Sequence, residues 1–282
     1  MDDLTQDSIF QTARQAVAED LGDGDITALL IPAGSQAQAS LLSREEAVIA
    51  GQPWFNAVFH IIDPGIEVSW LVNEGASVSA NTELMRCTGS ARSILTAERT
   101  AMNFLQTLSG TATATHALAQ SIHHTKAKLL DTRKTLPGLR YAQKYAVRLG
   151  GGENHRIGLF DAFLIKENHI LAAGGIDAAI QRARAHAPEK RLEIEVETLA
   201  ELETAIAAQP DWIMLDNFTL DGLRAAVSIT PSSIKLEASG GIEDQKTLID
   251  IAETGVDYIS VGALTKHCKA IDLSLRFAEL PC

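Results

Sequence analysis

The second half of the chain is a regular succession of apolar, strand-like runs, each followed by a helical pattern. Glu195, Asp216, Glu237 and Ser260, at or near the ends of four successive runs, are 21, 21 and 23 residues apart. This spacing is the length of one strand–helix unit, and repeated units of this kind form a parallel sheet. The full series of runs ends at Asp131, Lys166, Glu197, Asp216, Ser239 and Gly262.

Two features favour a sheet closed into a barrel over an open sheet. Polar residues lie at the carboxyl ends of the runs, where barrel enzymes place their active sites. In addition, Glu193, Glu195 and Glu197 occupy alternate positions, so their carboxylates share one face of a strand and point into a polar interior. About six strand units are visible, fewer than a complete barrel has, so we expect an incomplete α/β barrel of parallel strands.

The first part of the chain has a different pattern. Residues 8–20 predict a short amphipathic helix, residues 37–89 a mostly antiparallel sheet, and residues 91–108 a second helix. We therefore expect an α/β (α+β) sandwich domain over residues 1–111 and the barrel over residues 112–282. The barrel region has predicted helices over residues 139–149, 175–187, 199–208, 219–228, 243–254 and 269–279. The last of these could pack back on the first domain.

One segment concentrates positive charge in an acidic protein. The formal net charge of the chain is −12, yet residues 126–166 contain nine Lys or Arg and three Asp or Glu, a local charge of +6 (9 − 3). Solubility does not require such a segment, so its obvious use is to bind anions. The acidic remainder argues against a nucleic-acid-binding protein, which would need a broad basic face.

The composition is that of an ordinary soluble globular protein, with 46% hydrophobic and 21% charged residues. No run of about 18 apolar residues is present, so no membrane partner is expected. Asp2 and Asp3 occur near the start in place of a basic-then-apolar pattern, so we do not expect secretion. The three cysteines are far apart, which predicts free thiols in a reducing compartment. We expect a cytoplasmic protein.

Three groups of cations are candidate anion ligands. Arg133 and Lys134 follow Thr132 at a strand end and could bind carboxylate or phosphate, unless they are a surface charge pair. His155 and Arg156 follow three glycines, which allow a close backbone approach to a ligand or form a flexible loop. Lys166 leaves a buried strand as an anion ligand, a Schiff-base nucleophile or a surface lysine.

Glu195 and Asp216 end consecutive central strands on the predicted mouth of the barrel. Such carboxylates could hold Mg²⁺ through its waters, bond sugar hydroxyls or stabilise a cationic sugar transition state. They could also simply form ion pairs with Lys134 or Lys166, an arrangement compatible with all three roles.

The last two strand ends are rich in small residues: Ser239, Gly240 and Gly241 in one loop, and Val261, Gly262 and Ala263 in the next. Backbone N–H groups exposed beside small residues at a helix start can bind a phosphate. Barrel enzymes often place phosphate sites in their last two loops. An ordinary left-handed turn remains the alternative for each loop.

Taken together, eight ordered motifs resemble the quinolinate phosphoribosyltransferase family, also called nicotinate-nucleotide pyrophosphorylase (carboxylating). The resemblance covers nearly the whole chain. Its motifs are residues 19–27, Glu98-Arg99 with 103–110, 131–140, 150–156, 164–169, 215–217, 237–241 and 260–265. It implies an N-terminal sandwich followed by an incomplete barrel, in agreement with the pattern of the elements.

The resemblance also implies an activity. Such enzymes use quinolinate, phosphoribosyl pyrophosphate and Mg²⁺, and they form nicotinate mononucleotide, pyrophosphate and CO₂ for NAD synthesis. They are homodimers or larger homo-oligomers in which the N-terminal domain of one subunit covers the barrel mouth of its partner. Arg99, by itself an ordinary cation on a helix surface, would then enter the partner's active site.

The resemblance assigns the charged residues to the two substrates. The residues implied to pair with the two carboxylates of quinolinate are Arg99, Arg133, His155 and Arg156. The residues implied to act in catalysis are Lys134, Lys166, Glu195 and Asp216, the last two also being metal ligands through water. The remaining residues implied to bind substrate are Thr132, Ser239, Gly240, Gly241, Val261, Gly262 and Ala263.

The residues leave two other functions open. Lys166 could be the Schiff-base residue of an aldolase-type lyase, which borohydride trapping of a carbonyl substrate would reveal. The chain could also be a non-catalytic paralogue that binds quinolinate without releasing pyrophosphate or CO₂.

Overall fold

A computed structural model describes residues 6–242 and 244–278 of the chain. Contacts among these residues divide them into two units whose segments interleave along the chain. Unit 1 consists of residues 6–116, 136–150 and 267–278, and unit 2 consists of Ala117–Thr135 and Gly151–Lys266. The sequence predicts two continuous domains that meet after residue 111, and that boundary stays a prediction.

Unit 1 contains an antiparallel sheet, as the alternating runs predict. Its strands are β1 (Gln36–Ser43), β2 (Ala47–Val48), β3 (Glu67–Trp70), β4 (Ser77–Val78), β5 (Glu83–Ser90) and, near the other end of the chain, β12 (Leu273–Phe277). Four of them form one sheet in the order β12-β1-β5-β3, while β2 pairs with β4. Every second residue of β1 is buried from Ala37 to Ser43, because one face of the sheet covers the core.

The prediction of a helix over residues 269–279 is wrong for residues 269–278, the part of this range that the structure describes. Residues 273–277 form β12, which runs antiparallel to β1. Leu273, Leu275 and Phe277 occupy alternate positions, a period of two that suits a strand. The short apolar run is also compatible with one helical turn, and pairing with β1 decides between the two.

Unit 1 also contains the helices α1 (Gln6–Leu21), α2 (Gln52–Ile62), most of α3 (Ala91–Ser121) and α4 (Arg140–Leu149). The largest buried side chains of its core include Trp54, Phe55 and Phe59 of α2 and Leu105 of α3. A turn of 3-10 helix, Ala28–Leu30, follows α1. The predicted helices over residues 8–20, 91–108 and 139–149 are thus confirmed.

The helix α3 is longer than the sequence pattern indicates, because Gly110 does not end it. A Cβ at Gly110 would lie 2.0 Å from the carbonyl oxygen of Lys269. Only glycine permits this close backbone approach. Gly110, which lies next to the predicted end of the first domain, therefore serves packing within the helix.

Unit 2 contains six parallel strands: β6 (Lys128–Leu130), β7 (Ala162–Ile165), β8 (Arg191–Val196), β9 (Trp212–Asp216), β10 (Lys235–Ser239) and β11 (Tyr258–Ser260). They form one sheet in the order β6-β11-β10-β9-β8-β7. The accompanying helices are α5 (Glu167–Ala173), α6 (Ile176–His186), α7 (Leu199–Ala208), α8 (Leu220–Ile229), α9 (Gln245–Ala252) and α10 (Ala263–Lys266). The predicted α/β class with a six-stranded parallel sheet is confirmed.

The two faces of this sheet differ in character. Leu192, Ile194 and Val196 of β8 belong to an apolar cluster that includes side chains of the surrounding helices. The alternate positions Glu193 and Glu195 lie on the other face, with 0% and 8% of their surface exposed. The predicted burial of carboxylates on one strand face is thus confirmed for these two residues, whereas Glu197 lies beyond the end of β8 and is exposed.

Among the described residues, no helix is both long and apolar enough to cross a membrane. Cys87 and Cys268 are free thiols. Cys282 lies outside the described residues, as do Asp2 and Asp3.

The contact at Gly110 yields a prediction for stability. We expect Gly110→Ala to lower the free energy of unfolding by about 1–3 kcal/mol, because the added methyl group overlaps the Lys269 carbonyl. Urea denaturation measures the change. Gly34→Ala is the control, since a Cβ at Gly34 meets no atom within 4 Å. Equal midpoints for the two variants would contradict the packing role of Gly110.

Candidate active site

Lys134 lies beside the loop that follows β11. Its backbone N–H donates to the Thr132 hydroxyl at 3.0 Å, and its carbonyl accepts from the Thr265 hydroxyl at 2.8 Å. A Cβ at Gly262 would lie 2.9 Å from Cδ of Lys134, so the lysine side chain crosses directly over this glycine. The structure therefore brings together two segments that the sequence assigns to anion binding.

Lys166 forms an ion pair with Glu195 on the neighbouring strand. The Glu195 side chain is 8% exposed and the Lys166 side chain 42% exposed, so the pair lies at the border of the interior. The Lys166 N–H also donates to Nδ1 of His169 at 3.0 Å, which fixes the backbone at the start of α5. The ion-pair interpretation of Glu195 is thus confirmed with Lys166 as its partner.

Asp216 is oriented by the residue that follows it. Asn217 has a φ of 55°, and its side-chain N–H donates to the Asp216 carboxylate at 2.8 Å. Its backbone N–H donates to the Ser239 carbonyl at 2.9 Å. A Cβ at Gly240 would lie 2.1 Å from the side-chain oxygen of Asn217, so this position requires glycine. The ends of β9 and β10 are thereby joined.

The carboxylates at the strand ends fit Mg²⁺ only as distant ligands. Among the described residues, Glu195 and Asp216 do not belong to any cluster of three His, Cys, Asp or Glu side chains close enough to enclose an ion. Glu195 is also engaged by Lys166. Mg²⁺ commonly keeps several waters and binds mainly through substrate phosphates, so contact through water is the arrangement that these residues permit.

The two small-residue loops differ in the backbone groups that they leave open. The Val261 N–H donates to the Leu130 carbonyl at 2.9 Å, and its side chain is buried, so Val261 belongs to the sheet. Gly240 and Gly241 have φ values of 91° and 65°, a conformation that few other residues adopt. The first loop therefore has the backbone freedom that a close approach to a phosphate requires.

His155 is buried inside unit 2 between two glutamates. Its Nε2 lies 2.7 Å from Glu193 and 3.2 Å from Glu237, both of which are fully buried. Its Nδ1 accepts the backbone N–H of Arg156 at 2.8 Å. We call His155, Glu193 and Glu237 the His155 cluster. Both ring nitrogens of this histidine therefore have partners within the protein.

The His155 cluster shares an additional proton. Burial, reinforced by the charge of Glu237, raises the pKa of Glu193 to about 7. Because Nδ1 accepts the N–H of Arg156, the ring hydrogen lies on Nε2 and the additional proton lies on Glu193, whereas hydrogen bonds lower the pKa of Glu237.

Aromatic rings close the amino-terminal side of this interior. The Trp212 ring is edge-on to His155 at 6.3 Å and stacks on Tyr258 at 4.1 Å. The Arg191 guanidinium lies over the Trp212 ring, 4.2 Å from its centroid. These three side chains are the first residues of β8, β9 and β11, and they form a floor under the His155 cluster at the amino-terminal end of the sheet.

The charges of Arg133 and Arg156 act on each other. Burial lowers the pKa of Arg156, and the positive charge of Arg133 lowers it further. Among the described residues, Nε of Arg133 is buried without a hydrogen-bond partner. Two neighbouring cations with an unpaired buried donor leave an unsatisfied demand for negative charge. This is the arrangement of an anion site.

Arg99 belongs to unit 1, where it is exposed on α3. Its neighbour Glu98 has a raised pKa because it is partly buried, with the Arg99 charge acting in the opposite direction. The entry of Arg99 into a partner's site stays a prediction.

Comparison with known protein families shows which family this chain belongs to. Residues 25–109 match the family model described as quinolinate phosphoribosyl transferase, N-terminal domain, and residues 111–276 match the model of the C-terminal domain. The chain belongs to the quinolinate phosphoribosyl transferase family. The predicted family and the predicted enzyme class, a phosphoribosyltransferase, are both confirmed.

Individual relatives support this membership over the full length of the chain. The nicotinate-nucleotide pyrophosphorylase [carboxylating] of Mycobacterium leprae is 42% identical, over 98% of this chain and 99% of the relative. The quinolinate phosphoribosyltransferase [decarboxylating] 1b of Nicotiana tabacum is 39% identical, over 93% of this chain and 80% of the relative. The solved structure of the nicotinate-nucleotide pyrophosphorylase from Francisella tularensis has a TM-score of 0.95 and 50% identity, with 98% of each chain covered.

Several residues that build this phosphoribosyltransferase site were not predicted as site residues. Asp131, Glu193, Glu237, Asn217 and Thr265 contact predicted ligands, and Asn154 contacts Asp131. Glu193 and Glu237 carried a signal, since each interrupts an apolar strand. Their partner was not recognisable, because His155 comes from a loop far from either in the sequence.

The His155 cluster yields a prediction for pH dependence. The pKa of Glu193 rises from 4.5 to about 7 on folding, so the folded protein holds a proton that the unfolded chain releases as the pH increases. As the pH rises from about 4.5 to about 7, we expect Glu193 to lower the free energy of unfolding by up to about 1.4 kcal/mol per pH unit. In urea denaturation between pH 5 and 7, the wild type should lose stability relative to Glu193→Gln.

The matched control for this measurement is Glu197→Gln, because Glu197 is exposed just beyond the same strand. Its stability should remain parallel to that of the wild type at every pH. Parallel curves for Glu193→Gln as well would show that Glu193 does not take up a proton on folding.

Proposed function

We propose that this protein transfers the phosphoribosyl group of phosphoribosyl pyrophosphate to the ring nitrogen of quinolinate, with loss of CO₂. The products would be nicotinate mononucleotide and pyrophosphate, for NAD biosynthesis. Family membership and the names of the full-length relatives support this activity. The structural observation that carries it is the buried Nε of Arg133, which has no hydrogen-bond partner among the described residues; the charge of Arg133 also lowers the pKa of Arg156.

Quinolinate suits this pair of cations because it has two carboxylates on adjacent ring atoms. Two guanidinium groups can each form paired hydrogen bonds with one carboxylate. The negative charge of the ligand would also offset the repulsion between Arg133 and Arg156. A monocarboxylate such as nicotinate would satisfy only one of the two, so the pair favours a dicarboxylate.

The second substrate carries more negative charge and has a different set of candidate ligands. Lys134 crosses over Gly262, and Lys166 lies at the carboxyl edge of the same sheet. Both would face the phosphate groups of phosphoribosyl pyrophosphate as point charges. The loop with Gly240 and Gly241 would bind the 5′-phosphate through backbone N–H groups. Mg²⁺, when bound, would neutralise charge on the departing pyrophosphate.

The reaction itself requires positioning more than covalent participation by the protein. The nitrogen lone pair of quinolinate attacks the anomeric carbon, and pyrophosphate leaves with the electrons of the bond that breaks. Glu195 and Asp216 would stabilise the positive charge that develops on the sugar. The pyridine ring becomes cationic, so CO₂ can leave while its bonding electrons stay on the ring carbon. A proton then completes the mononucleotide.

The lyase alternative is less compatible with the geometry. A Schiff-base lysine reacts as a neutral amine in an apolar or cation-rich pocket. Lys166 instead lies against the Glu195 carboxylate and is partly exposed. No observation specifically favours the lyase over phosphoribosyl transfer.

The activity is tested by incubating the protein with quinolinate, nicotinate or neither, each with phosphoribosyl pyrophosphate and Mg²⁺. We expect mononucleotide, pyrophosphate and CO₂ in equal amounts from quinolinate alone. Removing Mg²⁺ with EDTA should abolish turnover, and added Mg²⁺ should restore it. Calorimetric binding of quinolinate without any of the three products would instead identify a non-catalytic paralogue.

We also propose a homodimer or larger assembly in the cytoplasm, in which Arg99 completes the partner's site. Arg99→Ala and Arg133→Ala should each lower kcat/KM by a factor that corresponds to about 2–4 kcal/mol. After the two variants are unfolded together and refolded, mixed dimers contain one site with both arginines intact. Activity should return to about a quarter of the wild-type value, because half of the dimers are mixed and half of their sites are intact.

Arg182→Ala is the matched control for these variants, since Arg182 is exposed on α6 and away from the strand ends. It should keep wild-type activity. If the refolded mixture of Arg99→Ala and Arg133→Ala stays inactive while refolded wild type recovers, Arg99 does not act in a partner's site.

A further inference from the structure

His155 and Arg156 are adjacent in the sequence, but they differ in what they can offer a ligand. The side chain of His155 is 6% exposed, and each ring nitrogen has a partner within the protein. Arg156 is only partly buried and lies near Arg133. A direct contact between His155 and a substrate carboxylate would require one of these internal hydrogen bonds to break.

The segment that contains these residues is fixed to three strands. The Glu153 N–H donates to the carbonyl of Leu129 in β6 at 2.8 Å, and the Glu153 carbonyl accepts the N–H of Asp131, which follows β6, at 3.2 Å. Asp131 accepts from the Asn154 side chain at 2.6 Å and from the His155 N–H at 2.9 Å. Through the other members of its cluster, His155 is also joined to β8 and β10.

A second carboxylate fixes the chain on the far side of Arg156. Asp161 accepts the backbone N–H of Ile157 at 2.8 Å and that of Gly158 at 2.9 Å. The backbone of Arg156 is therefore held on one side by His155 Nδ1 and on the other by Asp161. This matters because Arg133 and Arg156 repel each other, and an unrestrained Arg156 would move away from its neighbour.

A metal ion is the alternative use of the His155 cluster, since its three potential ligand atoms lie within 4.8 Å of one another. The hydrogen-bond pattern argues against it. A histidine that binds a metal through one nitrogen keeps its hydrogen on the other, where it donates to an acceptor. Nδ1 of His155 accepts a backbone N–H instead, so its hydrogen is on Nε2, the atom that the metal would need.

We infer that His155 is a positioning residue, which acts on quinolinate through Arg156 rather than by direct contact. Together with Glu193 and Glu237, it fixes the Arg156 backbone, so that Arg156 stays within electrostatic reach of Arg133 before the substrate arrives. This preorganisation removes the cost of bringing two like charges together on binding. The inference rests on the proposed function, because it concerns how that function's dicarboxylate is bound.

The test is a double-mutant cycle with His155→Ala, Arg156→Ala and the double variant. His155→Ala should raise the KM for quinolinate about tenfold, the loss expected for one hydrogen bond that fixes an important group. Arg156→Ala should raise it about a hundredfold. The double variant should match Arg156→Ala within about twofold, because His155 has nothing left to position.

Two readouts separate positioning from other roles. The KM for phosphoribosyl pyrophosphate and kcat should change by less than about twofold in His155→Ala, whereas general structural damage would alter all three constants. His155→Asn should recover much of the loss, because its amide oxygen can accept the Arg156 N–H in place of Nδ1. The inference would be overturned if the two single-variant increases in the quinolinate KM multiplied in the double variant. It would also be overturned if His155→Ala raised the KM values of both substrates equally.

If His155→Ala does not fold, Glu193→Gln replaces it in the same cycle, since glutamine keeps the volume of the buried side chain. Its effect on the quinolinate KM should likewise vanish in the Arg156→Ala background, and a multiplied effect would overturn the inference. An inactive wild type would refute the proposed function. An active wild type with multiplied effects would refute this inference alone.

Discussion

The buried carboxylates of unit 2 are the constraint on which its site depends. Asp131, Glu193 and Glu237 are fully buried, which is costly for ionised groups unless each has partners. The partners here are the Asn154 side chain and the backbone N–H and ring of His155, which belong to the same segment as the partly buried cation Arg156. Burial of these acids therefore contributes order to the site more than it contributes stability to the fold.

The parallel sheet separates these two tasks by face. Leu192, Ile194 and their equivalents on the other strands pack against the helices and provide the apolar core. The opposite face has polar side chains, closed at one end by the floor of Arg191, Trp212 and Tyr258. Because successive residues of a strand alternate between these faces, the carboxylates can be arranged without removing apolar contacts from the core.

Much of this organisation is predictable from local patterns, and the rest depends on contacts distant in sequence. The strand ends at Lys166, Asp216 and Ser239 followed from apolar runs, and the burial of Glu193 followed from alternation along β8. The pairing of Glu193 with His155 could not be inferred, since only the folded sheet brings these segments together. The end of α3 and the identity of β12 were mistaken for the same reason: Gly110 and the last strand each have a partner far along the chain.

The position of β12 at the edge of the unit 1 sheet has a consequence for synthesis on the ribosome. Residues 273–277 are synthesised after all the segments of unit 2, yet they pair with β1, which is synthesised before them. Until they appear, one edge of β1 has unpaired backbone groups that other chains could bind. The segments of unit 2 are complete earlier, since they end at Lys266. A nascent chain is consequently exposed to mispairing at β1 until β12 has been synthesised, and this interval is where a chaperone would have most effect.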